Sequence, residues 1–201
     1  MIKTKDDLRY YIESDLRSQG YDGVTLKMIV FSWFIPCIWK FEILLRKAEY
    51  YHNNQDLWLN KLLFKYYYIR MLKYGLNLGF SIPINVFGPG LCICHAGTLI
   101  INENVSVGSN ARIHAGVNIG NYSKFGEGWK KDNAPIIGNN VYIGPGAKLF
   151  GKIKVGDDVA IGANAVVTKD VRDHVTVVGV PAKIINEYGS INMLLYGDTR
   201  I

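Results

Sequence analysis

The apolar positions of this chain follow two different rules on either side of residue 76. From Ile101 to Val167 an aliphatic residue recurs at almost every sixth position: Ile101, Val107, Ile113 and Ile119, then, after one interruption, Ile137, Ile143, Leu149, Val155, Ile161 and Val167. The next residue is often glycine, and the fifth position of each six is small or aliphatic, as at Val105, Ala111, Val117, Val141, Ala147, Val159 and Ala165. A period of six is not the two-residue alternation of a sandwich strand, and the hairpin turns of a sandwich are missing as well. It predicts a parallel β-helix, in which three hexapeptides close one triangular coil of about 18 residues and each short strand turns two side chains into the prism. Coils stack about 4.8 Å apart through strand-to-strand hydrogen bonds.

Residues 1–75 follow the other rule and read as a helical module. Thr4 with Asp7 forms a capping box and Gly20 a stop, which delimits a first helix. A second helix is predicted from about Thr25 to Tyr51, with a kink at Pro36. Its stretch from Met28 to Trp39 is almost wholly apolar, yet 12 residues are too few for a bilayer, which takes about 20. Such a face suits a buried or subunit-facing helix, and peripheral membrane contact through residues 28–39 is the other option. A third helix from about Asn54 to Tyr74 carries Leu57, Leu62, Leu63, Tyr66, Ile69 and Leu72 near helical spacing, with Gly75 as its end. The expected organisation is mainly β with an α-helical N-terminal module: helices over 1–75, a solenoid over 76–185 with an inserted loop at 126–136, and a tail over 186–201.

Composition narrows the function classes. The net charge is +6, with 12 Lys and Arg against 8 Asp and Glu in residues 1–75 and 11 against 9 in the remainder. There is no basic run and no nucleic-acid motif, so the excess points to anionic small molecules or an anionic surface rather than to nucleic acid. Cys92 and Cys94 sit on one strand, read as small apolar packing residues, and Cys37 lies far upstream; this is no disulfide framework and fits a reducing cytoplasm. Lys3, Lys5, Asp6 and Asp7 lead into an amphipathic helix rather than the apolar core of a signal peptide.

Chemistry is sought where the repeat breaks. One break is Gly126 to Ile136, GEGWKKDNAPI, which holds Glu127, Trp129, Lys130, Lys131 and Asp132. The other is His95 with His114, placed by hexapeptide counting on the same face of consecutive coils, about one strand spacing apart. Imidazole titrates near neutrality, so either ring can act as a general base. His52 and His174 lie elsewhere, which leaves a zinc site without its third ligand, so no metal is expected.

The segments GPGLCICHAGTLIINENVSVGSNARIHAGVNIG (88–120), APIIGNNVYIGPGAKLFG (134–151), IGANAVVTKDV (161–171) and GVPAK (179–183) resemble the hexapeptide-repeat acyltransferases, in particular the serine acetyltransferase branch and its glycan-modifying relatives. The resemblance covers roughly residues 76–185. It implies a left-handed parallel β-helix that forms a homotrimer, with acetyl-CoA as co-substrate in the groove between prisms. His95 matches the catalytic histidine, the general base toward an acceptor hydroxyl, and His114 is assigned as a second site residue. Pro145, Gly146 and Ala163 fall on the pantetheine groove, and Thr168, Lys169 and Lys183 on the distal part of CoA, where lysines suit phosphates.

Three departures bear on the acceptor. Serine acetyltransferases carry an acidic residue just before the catalytic histidine, where this chain has Cys94, and an Arg-His pair before the loop-closing proline, where it has Asn133 and Ala134. Charge-assisted contacts are worth roughly 1.5–3 kcal/mol each, so losing both weakens serine binding unless other residues replace them. A carboxylate that orients the histidine is also missing near Ser81, with Glu103, Glu127 or a backbone carbonyl as substitutes. The expectation is therefore an acetyl-CoA-dependent O-acetyltransferase for a sugar hydroxyl of a surface polysaccharide or its precursor, with Glu127, Trp129 and Asn133 at the acceptor and Trp129 stacking on a pyranose. Serine O-acetylation is the alternative within the same chemistry, and a catalytically silent trimeric scaffold is the alternative outside it.

Overall fold

A computed structural model describes residues 1–21, 37–122 and 133–194. Three helices come first: α1 (Lys5–Ser18), α2 (Cys37–Asn53) and α3 (Trp58–Leu78). Thr4 and Asp7 cap α1 reciprocally, through Asp7 N to Thr4 Oγ1 at 3.0 Å and Thr4 N to Asp7 Oδ2 at 2.8 Å. The expected start of the second helix and its kink at Pro36 lie outside the described residues. Of the stretch proposed for membrane contact, only Cys37, Ile38 and Trp39 are described, and Trp39 is buried. No described helix is long and apolar enough to cross a membrane.

The solenoid follows as short strands that collect into three sheets, which from Cys92 to Val167 take every third strand of the described chain. One sheet stacks β1 (Phe80–Ser81), β3 (Leu99–Ile101), β6 (Asn118–Gly120), β9 (Lys148–Phe150) and β12 (Val166–Val167). A second stacks β4 (Ser106–Val107), β7 (Ile136–Ile137) and β10 (Lys154–Val155). The third stacks β2 (Cys92–Ile93), β5 (Arg112–Ile113), β8 (Tyr142–Ile143), β11 (Ala160–Ile161), β13 (Thr176–Val178) and β14 (Lys183–Asn186). All described pairings are parallel except β13 with β14.

The six-residue phase reappears as register. Ile113 faces Ile143 and Ile143 faces Ile161, Val107 faces Ile137, and Ile119 faces Leu149. Every member of the aliphatic series is at most 4% exposed. Ile143 meets Ile161 after 18 positions, whereas Ile113 meets Ile143 after 30, and the extra residues fall between β6 and β7. The corners are tight. A Cβ on Gly108 would sit 2.7 Å from the Gly138 oxygen one coil on, so side chains larger than hydrogen do not fit there. At another corner Asn110, Asn140, Asp158 and His174 all adopt positive φ, and Asn110, Asn140 and Asp158 join through amide donors at 2.9 and 3.0 Å.

The third helix differs from expectation in two ways. It runs through Gly75 to Leu78 and ends at Gly79, whose φ is 82°. Gly75 is a close-approach residue instead of a stop, because a Cβ there would meet the Phe80 oxygen at 3.0 Å and the Phe41 ring at 3.3 Å. The stripe of Leu57, Leu62, Tyr66, Ile69 and Leu72 faces outward, each at least 45% exposed. A second stripe is turned inward: Met71 is fully buried, and Tyr67 stacks on Tyr51 of α2 with ring centroids 5.3 Å apart. Both stripes satisfy a helical period, and the aromatic one matches the surface that α2 presents.

A stacked solenoid leaves the strands of its first coil without a neighbour on one side, and unpaired backbone groups buried there are costly. Here α1 and α2 supply the partners. Arg46, fully buried, donates Nε to Asp15 Oδ2 at 2.7 Å, Nη1 to Glu49 Oε2 and the Phe87 oxygen, and Nη2 to Asp15 Oδ1 and the Gly88 oxygen. All five guanidinium donors are thereby used. Asp15 Oδ1 also accepts from Gly90 N and Leu91 N at 2.9 and 2.8 Å, and Ser18 Oγ donates to the Leu91 oxygen at 2.9 Å. Glu49 Oε1 takes Asn85 N, and Glu42 Oε1 takes Ile93 N and the Gln19 amide.

Two predictions follow from this edge. Replacing Arg46 with Met leaves two buried carboxylates without their cation, so the free energy of unfolding should drop by about 3–5 kcal/mol in urea denaturation. Burial, reinforced by the nearby Asp15 charge, raises the Glu42 carboxyl well above its ordinary value of 4.5. The folded protein keeps this proton where the unfolded chain has released it, so the associated stability is complete below pH 4.5 and declines as the pH rises above it. Glu42→Gln removes that decline, and its melting temperature relative to the parent protein should be more favourable at pH 8 than at pH 5 in thermal denaturation.

Candidate active site

On the six-stranded sheet, the residues flanking each inward aliphatic point away from the prism axis. Cys92, Arg112 and Tyr142 are register partners in one outer row. Cys94 and His114 follow two residues on, held by Cys94 N to the Ile113 oxygen at 3.0 Å and His114 N to the Ile143 oxygen at 3.1 Å. His95 comes next and is exposed. The expected meeting of the two histidines is present, with ring centroids 5.9 Å apart. The residue level with His114 is Cys94, whose Sγ lies 3.5 Å from His114 Nε2, and the Tyr142 ring covers the opposite side of His114 at 5.1 Å.

The electrostatics of this patch are set by Arg112. Its Nε and Nη1 are buried and have no hydrogen-bond partner. The Cys94 thiol is pulled down to about 7: a hydrogen bond from Cys92 contributes most, burial opposes it, and the Arg112 charge lowers it further. Cys92 moves strongly upward, through its hydrogen bond with Cys94 and then its burial. His114 titrates below its ordinary 6.5, because burial and then the Arg112 and His95 charges disfavour the imidazolium. His114 is thus neutral at pH 7. Sequence reasoning overlooked Arg112, and it placed Cys94 among packing residues. The available signal was strand alternation, which puts Arg112 and His114 on the same side of Ile113.

The other expected site residues fall as follows. Gly146 N bonds the Ala115 oxygen at 3.0 Å and Asn164 N bonds the Pro145 oxygen at 2.9 Å, so Pro145, Gly146 and Ala163 line the prism edge that begins next to His114. Pro145 and Ala163 are exposed. Thr168 and Lys169 are exposed just beyond β12, and Lys183 is exposed at the start of β14, whose segment is tied to β12 by Ala182 N to the Val166 oxygen at 2.9 Å. Asn133 is half-buried, and its oxygen accepts from Tyr122 N at 3.4 Å. Glu127 and Trp129 lie outside the described residues. Ser81 and Glu103 share a cleft of about 350 Å³ with Phe41 and Met71 that includes neither histidine. A larger cleft of about 600 Å³, between Ile136, Lys154, Arg172 and Ile184, also lacks them. Among the described residues no group of three or more His, Cys, Asp or Glu is placed to hold a metal ion.

Residues 134–169 match the family model described as bacterial transferase hexapeptide (six repeats). The serine acetyltransferase of Buchnera aphidicola subsp. Schizaphis graminum is 36% identical over 151 residues, which is 74% of this chain and 56% of that protein. That of Helicobacter pylori strain J99 is 44% identical over 100 residues, 50% of this chain and 56% of that protein. The chain thus spans little more than half the length of these relatives. Among solved structures, soybean serine acetyltransferase complexed with serine superposes with a TM-score of 0.66 at 26% identity, covering 90% of this chain and 70% of that one.

These likenesses overturn the expectation of a sugar O-acetyltransferase for surface polysaccharide, because the relatives named are serine acetyltransferases. The carbohydrate acceptor falls with it. That expectation rested on Cys94, Asn133 and Ala134, where the charges that the resemblance names are missing. Arg112 puts a cation on the same face from a different coil. The chain belongs to the hexapeptide-repeat transferase family, with serine acetyltransferases among its relatives.

Proposed function

We propose that the protein is an acetyl-CoA-dependent serine O-acetyltransferase of cysteine biosynthesis, acting as a cytoplasmic homotrimer. The observation that carries this reading is the pairing of His95 and His114 on one outer face of a hexapeptide solenoid whose relatives are serine acetyltransferases. His95, exposed beside the groove-edge residues, takes the proton of the serine hydroxyl as its oxygen attacks the thioester carbonyl. The carbon–sulfur bond then breaks, CoA leaves as its thiolate, and the proton held on His95 passes to it or to solvent. His114 stays neutral at pH 7 and offers its ring for positioning the acceptor.

Pro145, Gly146 and Ala163 provide a flat edge for the pantetheine arm, with small residues letting an extended chain lie against backbone. Thr168, Lys169 and Lys183 meet the phosphates at the far end. Among the described residues, Arg112 presents a cation on this face to the carboxylate of an amino acid acceptor, in place of the Arg-His pair that the resemblance names.

The test is CoA release from acetyl-CoA with L-serine as acceptor, set against sugar acceptors. Turnover with L-serine is expected, and its absence in the intact trimer would sink the assignment. His95→Ala should lower kcat by roughly 10²- to 10⁴-fold with the oligomer preserved, as loss of a general base does. A drop of less than about tenfold would remove His95 from that role, and no acetyl transfer by the parent protein would favour the silent scaffold.

A further inference from the structure

Among the described residues, the acceptor face holds a cation, Arg112, with no carboxylate bonded to it. A guanidinium whose Nε and Nη1 are buried without hydrogen-bond partners carries a desolvation cost. Among the described residues, the ionisable groups around it are Cys94, Cys92, His114 and Tyr142 on the outer rows, His95 beside them, and Glu42 behind the strand, whose carboxyl holds Ile93 N. Burial and then the Asp15 charge push the Glu42 carboxyl well above its ordinary range, toward the neutral acid, and burial pushes His114 toward the neutral ring, so neither balances the Arg112 charge. Cys92 is buried and driven toward the thiol. Cys94 remains: half-buried, beside Arg112, with Sγ 3.5 Å from His114 Nε2. A thiol and an imidazole within reach of each other, next to a fixed cation, form the arrangement that activates a sulfur nucleophile.

We propose that Cys94 is a covalent modification site of this protein, a sulfur set beside Arg112 and His114 that takes up soft electrophiles on the face carrying His95. The sulfur's electron pair forms a new bond to the electrophilic carbon as the leaving group departs with its own pair, and the thiol proton has already passed to solvent or His114. The adduct then stands within contact distance of His114. Cys37, although exposed, has none of these neighbours in the described structure.

The probe is iodoacetamide on the full chain at limiting reagent, with labelled peptides quantified by mass spectrometry. At pH 7, Cys94 should react at least roughly tenfold faster than Cys37 despite being less exposed, and buried Cys92 should stay unlabelled. The rate at Cys94 should rise with pH with a midpoint near 7. Arg112→Gln should slow Cys94 labelling at pH 7 by roughly tenfold and much less at pH 9.5, while Arg112→Lys, which keeps the charge, retains most of the rate. Preferential labelling of Cys37, a Cys94 midpoint above about 8.5, or a rate indifferent to Arg112→Gln in a folded variant would each overturn the proposal. The pH profile is read on the unmodified sequence, so the proposal stays testable even where Arg112→Gln fails to fold. None of these readouts depends on acetyl transfer, so failure of the enzymatic assignment and failure of this one are separately visible.

Discussion

The whole arrangement depends on closing the open edge of the first coil. Arg46 does this from the helical side, with every guanidinium donor committed: two bonds to Asp15, one to Glu49 and two to backbone carbonyls of the solenoid. A buried guanidinium is tolerable only when fully paired, and the backbone of Asn85 to Ile93 is tolerable only when something takes its edge groups. Each solves the other's problem. The helices are therefore a structural continuation of the prism, contributing side chains where another coil would contribute strand. Side chains from α1 and α2 reach along this edge as far as Ile93, one residue before Cys94 and two before His95.

From that edge onward, geometry propagates by register. Inward positions repeat Ile113, Ile143, Ile161 and Val177 in line, so the outward neighbours are also forced into line. This is how residues 20 positions apart, Cys92 and Arg112, become partners, and how His114 reaches Cys94. The outward rows carry the chemistry because the inward rows leave no freedom: core side chains are interchangeable aliphatics, while an outer side chain is presented at a spacing set by strand separation. Arg112 and Arg46 make an instructive contrast, one cation completely satisfied and the other left with two buried donors unmet. The first organises the fold and the second organises the site.

Much of this was readable from residues alone. The sixfold period named ten buried aliphatics from Ile101 to Val167 and placed the interruption, since a repeat constrains each position independently and the constraints agree. Counting hexapeptides also put His95 near His114. The helices were less legible. Gly75 looks like a terminator because glycine often is one, but its reason is the close passage of Phe41 and Phe80. On α3 two stripes share the period, and nothing local says which one meets α2. Arg112 escaped notice because a single arginine on an outer row looks like any solvated residue until the neighbouring coils are laid beside it. The acceptor was misjudged for a related reason: Cys94, Asn133 and Ala134 were weighed one position at a time, whereas charge in a solenoid site can come from any coil that shares the face.

The two ends of the prism are finished by unlike means. At one end side chains of α1 and α2 grip the backbone, and at the other β14 turns back antiparallel on β13 while Ser190 bonds to the Asp158 and Asn140 oxygens. Among the described residues, neither end repeats the parallel pairing by which one coil joins the next. Growth or shortening of this molecule is thereby restricted to its middle, where whole turns can be duplicated or removed without disturbing either terminus. The distance between the histidine face and the far end is then an adjustable length, set by the number of coils rather than by any residue in them.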